Sequence, residues 1–471
     1  MIKELRKKLD TEKVTKEELF EESIKKAKET QKKYNCFVTI TDKFKSRASN
    51  TLLSGIPYSL KDLYSTSGIL TTSSSNILKN YIPVYDSTVY KKLKSAGAVL
   101  VGKTVLDELA MGGSGTTGHT GAVKNPHDVT RIAGGSSAGS AASVALGITP
   151  FSIGSDTGDS VRKPAAFCGI VGFKPTYGRI SRYGMFPFAS SLDHVAIFAT
   201  SVMDCAIVTD VLKGHDKNDM TSLKDDGKAY AETLEKEVKN KKLFYIKEAV
   251  SRDAYDEIDA NLDIVLNNFD GVLSSVRELG ITVDEISIDK ALLTAIFPSY
   301  MAISCAEATS NNANLNGISF GVREEGNTIE EIMFNSRTKG FSELIKRRFV
   351  LGSYILQKEN QEKLFLNACR IRRLIVNEIN KLFEEYDGFI MPASGGVAPK
   401  IGEKTDQLSD KYLILENHLV IGNFGGFPSI TVPSGKIERM PIGINITGRV
   451  KEDDVVLNIA HQLEKKLKEM V

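Results

Sequence analysis

Three stretches between residues 54 and 184 concentrate residue types that can cleave a bond. Gly55-Ile-Pro-Tyr-Ser-Leu-Lys61 sets one lysine in an apolar, strand-like run. Gly134-Gly-Ser136-Ser137-Ala-Gly-Ser140 and Gly154-Ser-Asp-Thr157-Gly158-Asp159-Ser160-Val-Arg-Lys-Pro164 supply hydroxyls in glycine-rich surroundings. Most lysines are solvated surface charges. One that is buried loses the solvation of its charged form, so its pKa falls and a neutral amine becomes available as a base. A serine hydroxyl is a poor nucleophile until such a neighbour removes its proton. Glycine-serine runs are usually flexible loops, but the second stretch leads straight into Ala141-Ala-Ser-Val-Ala-Leu146. That reads as a small-residue helix suited to close packing.

Two familiar motif readings do not hold here. Gly113-Ser-Gly115-Thr-Thr-Gly118 matches G-x-G-x-x-G, but no strand precedes it and His119-Thr-Gly-Ala-Val-Lys-Asn-Pro126 cannot open a long helix. A dinucleotide site needs both contexts. Gly135-Ser-Ser137-Ala-Gly139 matches the G-x-S-x-G nucleophile elbow, which sits on a strand-to-helix turn. Here the preceding Asn125-Pro-His-Asp-Val-Thr-Arg131 reads as loop.

The elements that must position these residues can be read along the chain. Residues 1–33 read as helices, with Thr15 and Glu18 at capping-box spacing and Val14 and Leu19 as the hydrophobic staple. From about 35 to 212, short apolar strands (36–40, 98–101) alternate with helices and Gly/Ser loops, the mark of an α/β sheet with helices on its faces. From about 213 the chain is densely charged, and 213–340 reads as a peripheral insertion. It holds a strand at 243–246, a helix over 255–279 stopped by Gly280, and a strand at 281–288. Long helices (about 340–385) and strand-like runs at 388–392, 429–433 and 442–446 return the chain, over 341–471, to the core. Length over 150 suggests roughly three domains, but one large α/β domain with insertions fits equally well.

With 471 residues and a net charge of +2, no strong field points to nucleic acid or anionic lipid. The five cysteines are scattered and form no C-x-x-C pair, so neither a disulfide framework nor a cysteine zinc site is indicated. The N-terminus lacks a signal-peptide core, and no run reaches the ~18 apolar residues of a membrane span. A cytoplasmic protein that engages no membrane is expected.

Taken together, the three stretches resemble the amidase-signature family, whose order is a lysine, a serine in G-G-S-S-G-G-S and a serine in G-S-D-T-G-G-S-I-R. Lys61 and Ser136 lie 75 positions apart, Ser136 and Ser160 24 apart, both as in that family. The resemblance runs over essentially the whole chain. It implies a central mixed β-sheet covered by helices on both faces, in a single domain over 1–471. It makes Ser160 the acyl-forming nucleophile, Ser136 a bridging serine on a cis peptide, Lys61 the terminal base and Ser137 a supporting hydrogen-bonding residue. The backbone N–H groups of Thr157, Gly158, Asp159 and Ser160 would form an oxyanion hole, typically worth ~3 kcal/mol per donor. Holding a lysine near pKa 7 rather than about 10.4 costs roughly 4–5 kcal/mol, which only a buried site with hydroxyl partners can sustain.

Within the family the likeness runs to glutaminase subunits of tRNA-dependent amidotransferases. It is carried by Gly214-His-Asp-Lys-Asn-Asp-Met-Thr-Ser222, Ala306-Glu-Ala-Thr-Ser-Asn311, Lys346-Arg-Arg-Phe-Val-Leu-Gly352 and Pro441-Ile-Gly-Ile-Asn-Ile446. By that resemblance, glutamine is hydrolysed here through a glutamyl ester. Ammonia then passes to the amidotransferase's B subunit, which uses ATP and Mg²⁺ on Glu-tRNA(Gln), and a small C subunit clamps the pair into a heterotrimer. This chain shows no P-loop, and no cofactor or metal of its own is expected. Arg348 is the candidate for the glutamine carboxylate, Glu416 for its ammonium, and Tyr300 for the pocket wall. A stand-alone amidase acting on another small amide is the alternative. The sequence also departs from the family: Asp159 replaces Gly, Lys163 replaces Gln, Ala138 replaces Gly, and Leu192-Asp-His-Val-Ala-Ile-Phe-Ala-Thr200 lacks the usual Gly-Pro-Leu and its nearby Arg.

Overall fold

The computed structural model describes residues 1–47, 50–255, 258–403, 409 and 411–469. Eleven strands form one mixed sheet: β1 (Phe37–Ile40), β2 (Pro57–Lys61), β3 (Val99–Thr104), β4 (Phe151–Asp156), β5 (Val171–Lys174), β6 (His194–Ala199), β7 (Lys242–Ile246), β8 (Thr282–Ile286), β9 (Gly388–Pro392), β10 (Ser429–Ile437) and β11 (Met440–Gly448). Their order is β1-β3-β2-β4-β6-β5-β10-β11-β9-β7-β8. Every residue of β2 to β6, β9 and β11 is buried. Strands covered on both faces read as continuous apolar runs rather than alternating ones. That explains why the runs at 98–101, 388–392 and 442–446 read as strands, whereas β4, β5 and β6 were not read from the sequence; the sheet is α/β as expected.

The first helices follow the local signals. Helix Lys16–Tyr34 starts at Thr15, whose hydroxyl accepts from Glu18 N while the Glu18 carboxylate takes the Thr15 N–H at 2.7 Å. The reading of a helix over 255–279 is realised as Ala260–Glu278, because the Asp259 carboxylate caps Leu262 N at 2.8 Å and sets a later start. Residues 256–257 of that reading lie outside the described residues. Gly280 follows the helix at φ +79°, where a side chain would be strained.

The segment 213–340 contributes β7 and β8, which pair in parallel with each other, β7 also with β9, to extend the sheet at one end. Its charged opening is anchored: the Asp216 carboxylate accepts from the Thr88 and Ser181 hydroxyls, and Lys213, 7% exposed, bonds Asp226 at 3.0 Å. The stretch Lys290–Asn311 is long and apolar enough to cross a membrane, but its helix Ile296–Asn311 packs on the helices Glu343–Ile355 and Asn367–Leu382. The single sheet is the ground on which we propose that the chain is one domain.

Candidate active site

Lys61 ends β2 within the sheet and is fully buried. Its amine lies 2.8 Å from Ser136 Oγ, 2.9 Å from Ser137 Oγ and 2.8 Å from Ser155 Oγ. Burial is the largest influence on it and lowers its pKa to about 7, against the opposing charges of Asp107, Asp156 and Asp193. The amine is thus uncharged in a large fraction of molecules at neutral pH, and hydroxyls surround it.

Ser136 and Ser137 stand where a loop enters helix Ala138–Ala145, and the Gly135–Ser136 peptide is cis. The loop is pinned from both sides: Asp107 N donates to Ser136 O at 3.1 Å, and Gly135 N donates to Gly113 O at 2.8 Å. Ser137 Oγ in turn donates to Ser155 O at 3.0 Å. The discounted G-x-G-x-x-G run wraps a carboxylate rather than a phosphate. Asp107 accepts from Gly115 N, Thr116 N, Thr117 N and the Thr117 hydroxyl at 2.8–3.1 Å.

Ser160, 4% exposed, lies on the loop between β4 and helix Arg162–Cys168, and its carbonyl accepts from Ser137 N at 3.3 Å. The two serine loops therefore touch. Among the described residues no hydrogen bond engages the Ser160 hydroxyl. The carbonyls of Gly158, Asp159 and Ser160 are taken by Arg162 Nη2, Lys163 N and Ser137 N. The N–H groups of Thr157, Gly158, Asp159 and Ser160 donate to no acceptor among the described residues, which leaves four backbone donors available in one loop.

Beneath that loop lies a buried ion pair that the sequence reading passed over. Arg162 Nη2 is 2.9 Å from Asp156 Oδ1, and both side chains are fully buried. Burial alone would raise the Asp156 pKa, but the Arg162 charge and hydrogen bonds more than offset it and hold the carboxyl well below its usual range. Asn423 completes the group, donating to Asp156 Oδ1 at 3.0 Å and accepting from Arg162 Nη2 at 2.6 Å. The Thr157 hydroxyl donates to Asp193 Oδ1 at 2.7 Å, and burial raises Asp193 to about 6. Asp156 and Arg162 were visible in the third motif. Nothing in the sequence marked Ser155 as a partner of Lys61, or the distant Asn423 as a partner of this ion pair.

A cleft of about 930 Å³ opens over this loop, and Gly158, Asp159, Tyr300, Arg348, Lys163 and Glu416 are among its walls. The three residues expected to bind substrate are thus brought together beside the nucleophile candidate. Tyr300 packs so closely that a Cβ on Gly158 would lie 3.0 Å from its ring. Arg348 lies over the Phe188 ring at 5.6 Å, and its Nε and Nη1 are buried without a hydrogen-bond partner among the described residues. Glu416 Oε1 accepts from Gly395 N at 2.7 Å. Asp159 is paired: its carboxylate is 3.0 Å from Lys163 Nζ. No group of three or more His, Cys, Asp or Glu among the described residues is arranged to hold a metal ion.

The chain as a whole has relatives among known proteins. The A subunit of glutamyl-tRNA(Gln) amidotransferase from Caldanaerobacter subterraneus subsp. tengcongensis is 36% identical over 99% of this chain and 96% of its own length. The protein of that name from Halothermothrix orenii is 39% identical over 99% and 97%. The crystal structure of the same protein from Thermotoga maritima superposes with a TM-score of 0.81 at 35% identity, covering 96% of this chain and 93% of that one. Peptide amidase from Stenotrophomonas maltophilia shares the fold, with a TM-score of 0.83 at 21% identity over 99% and 96%. The fold shared with these proteins accords with a sequence profile, described as Amidase, that matches residues 18–457, and the chain belongs to the amidase family.

Proposed function

We propose that this chain is the glutaminase subunit of a tRNA-dependent amidotransferase, cleaving the side-chain amide of glutamine with Ser160, Ser136 and Lys61. The observation that carries the reading is the fully buried Lys61 amine, lowered to about 7 and 2.8 Å from Ser136 Oγ. An uncharged amine accepts the Ser136 proton, and Ser136 accepts that of Ser160. For this the Ser160 hydroxyl turns onto Ser136 as the amide enters, and catalytic hydrogen bonds commonly close only in the loaded site.

Ser160 Oγ then bonds to the amide carbon. As the tetrahedral species collapses, the C–N bond breaks and the Lys61 proton returns through Ser136 to the leaving ammonia. Water, activated by the same relay, cleaves the glutamyl ester to glutamate. The free N–H groups of residues 157–160 suit the oxyanion of both tetrahedral species, each donor contributing about 3 kcal/mol. Arg348, whose Nε and Nη1 lack a partner among the described residues, suits the glutamine carboxylate as a cationic hydrogen-bond donor. Glu416 suits its ammonium, and Tyr300 walls the pocket. Ammonia passes to the B subunit of the complex, where ATP and Mg²⁺ activate Glu-tRNA(Gln), and the small C subunit holds the pair. The names of the relatives support such an assembly.

The test is ammonia release from glutamine by the chain with its partner subunits. Ser160→Ala and Lys61→Ala are each expected to lose at least about 10³-fold. A wild-type rate from Ser160→Ala would remove the nucleophile assignment. Hydrolysis of simple amides with no response to glutamine or to partner subunits would instead mark a stand-alone amidase.

A further inference from the structure

Asp159 sits on the one loop of the site where a negative charge is least welcome, next to the Ser160 nucleophile candidate and among amides suited to an oxyanion. Two features of its surroundings answer that problem. The Lys163 amine, four residues on in the following helix, is 3.0 Å from Asp159 Oδ2, and Lys163 N donates to Asp159 O at 3.0 Å. The same amine is 3.4 Å from Glu416 Oε2 and donates to the Glu416 carbonyl at 2.6 Å. One cation thus ties the loop's acid to the acid of the facing C-terminal segment, with side chains only 12%, 22% and 19% exposed for Lys163, Asp159 and Glu416.

We propose that Lys163 is a positioning residue that holds the Asp159 carboxylate against the helix side of the loop and compensates its charge. The amides of residues 157–160 then remain attractive to a developing oxyanion. The inference rests on the proposed role of Ser160 and adds a residue to it. At a few ångströms and in a partly desolvated cleft, an uncompensated carboxylate opposes an oxyanion strongly enough to undo a backbone donor. The electrostatic surroundings fit the pairing. Burial and the Asp156 charge raise the Asp159 pKa against the opposing pull of Lys163. Burial would lower Lys163, yet Asp159 and Glu416 outweigh it and raise its pKa. The two acids hold Lys163 charged, and Lys163 offsets only part of the burial cost of the Asp159 charge.

The test uses glutamine-dependent ammonia release by the assembled enzyme. Lys163→Gln should lower kcat by at least about tenfold, the scale of one unfavourable charge near a transition state. Lys163→Arg should stay within about threefold of the parent, since it keeps the cation. The decisive variant is Asp159→Asn combined with Lys163→Gln, which removes both charges but keeps the residue-159 amide and should be at least about fivefold faster than Lys163→Gln alone. A merely structural ion pair would recover in melting temperature alone, so the rescue is read in kcat of enzyme that is fully folded in both variants. Parental activity in Lys163→Gln, or a folded double variant no faster than Lys163→Gln, overturns the proposal. Should Lys163→Gln fail to fold, the double variant decides alone: active supports the pairing, folded but inactive refutes it. A Ser160→Ala enzyme that still releases ammonia would indict the nucleophile assignment instead, and is read separately.

Discussion

At position 61 the chain places a residue whose charge the fold disfavours. The Lys61 pKa in the folded protein is about 7 against an ordinary 10.5. The unfolded chain therefore binds more protons between these values, and stability rises with pH across that window and is flat below it. The slope is about 1.4 kcal/mol per pH unit, so the buried lysine costs on the order of 4 kcal/mol at neutral pH. Lys61→Met should then unfold at higher temperature than the parent near pH 7, with the difference shrinking as pH rises toward 10. The same titration should appear in kinetics, kcat/KM rising with pH and levelling above about 7 as the amine becomes a base. A melting difference independent of pH would mean that this lysine is not destabilised by burial. Much of this was legible: a lysine within an apolar run is either a misfit or a base. The third hydroxyl, Ser155, was not. It lies in a buried strand where serine carries no pattern, and only strand register sets its hydroxyl at the amine.

Helix Ala138–Ala145 shows why an element's composition is dictated by what it must touch. A Cβ on Gly139 would stand 2.2 Å from Cys36 O and 2.7 Å from Val105 N, while Gly139 N donates to Val105 O at 2.9 Å. The helix lies directly against the backbone of β3's exit, and this contact fixes the height of Ser136 and Ser137 above Lys61. Two effects compete in Gly139→Ala. Helix propensity favours alanine by up to about 1 kcal/mol, and overpacking against backbone that cannot yield costs about 1–3 kcal/mol. The second wins, so the variant should unfold at lower denaturant and lose ammonia release. Greater stability would show that the backbone can give way. The run of small residues signalled such an approach in the sequence. The partners across the contact, Cys36 and Val105, flank strands more than thirty residues earlier, and no local pattern names them.

At the scale of the molecule, the site depends on residues that meet only because the sheet closes around them. The central strand order β4-β6-β5-β10 brings the segment Val420–Phe424 beneath the loop that carries Ser160. Several strands were legible from continuous apolar runs and two helices from caps and helical spacing, but β4, β5 and β6 were not read. Their order in the sheet was not, since pairing between strands hundreds of residues apart leaves no periodicity in either. Asn423 is the clearest consequence. It is fully buried, donates to the Asp156 main-chain and side-chain oxygens at 3.1 and 3.0 Å, and accepts from Arg162 at 2.6 Å. Asn423→Ala leaves a buried carboxylate and a guanidinium each short of a partner, at about 1–3 kcal/mol. Asp156 and Arg162 also hold Val161 N and the Gly158 carbonyl, so the loss is transmitted to the loop. The cleft wall does not include Asn423, so KM should hardly change while kcat falls about tenfold, the effect of one misplaced oxyanion donor or less. A rise in KM with kcat intact would instead assign Asn423 to the cleft's shape, and would separate the frame that aims the amides from the walls that hold the substrate.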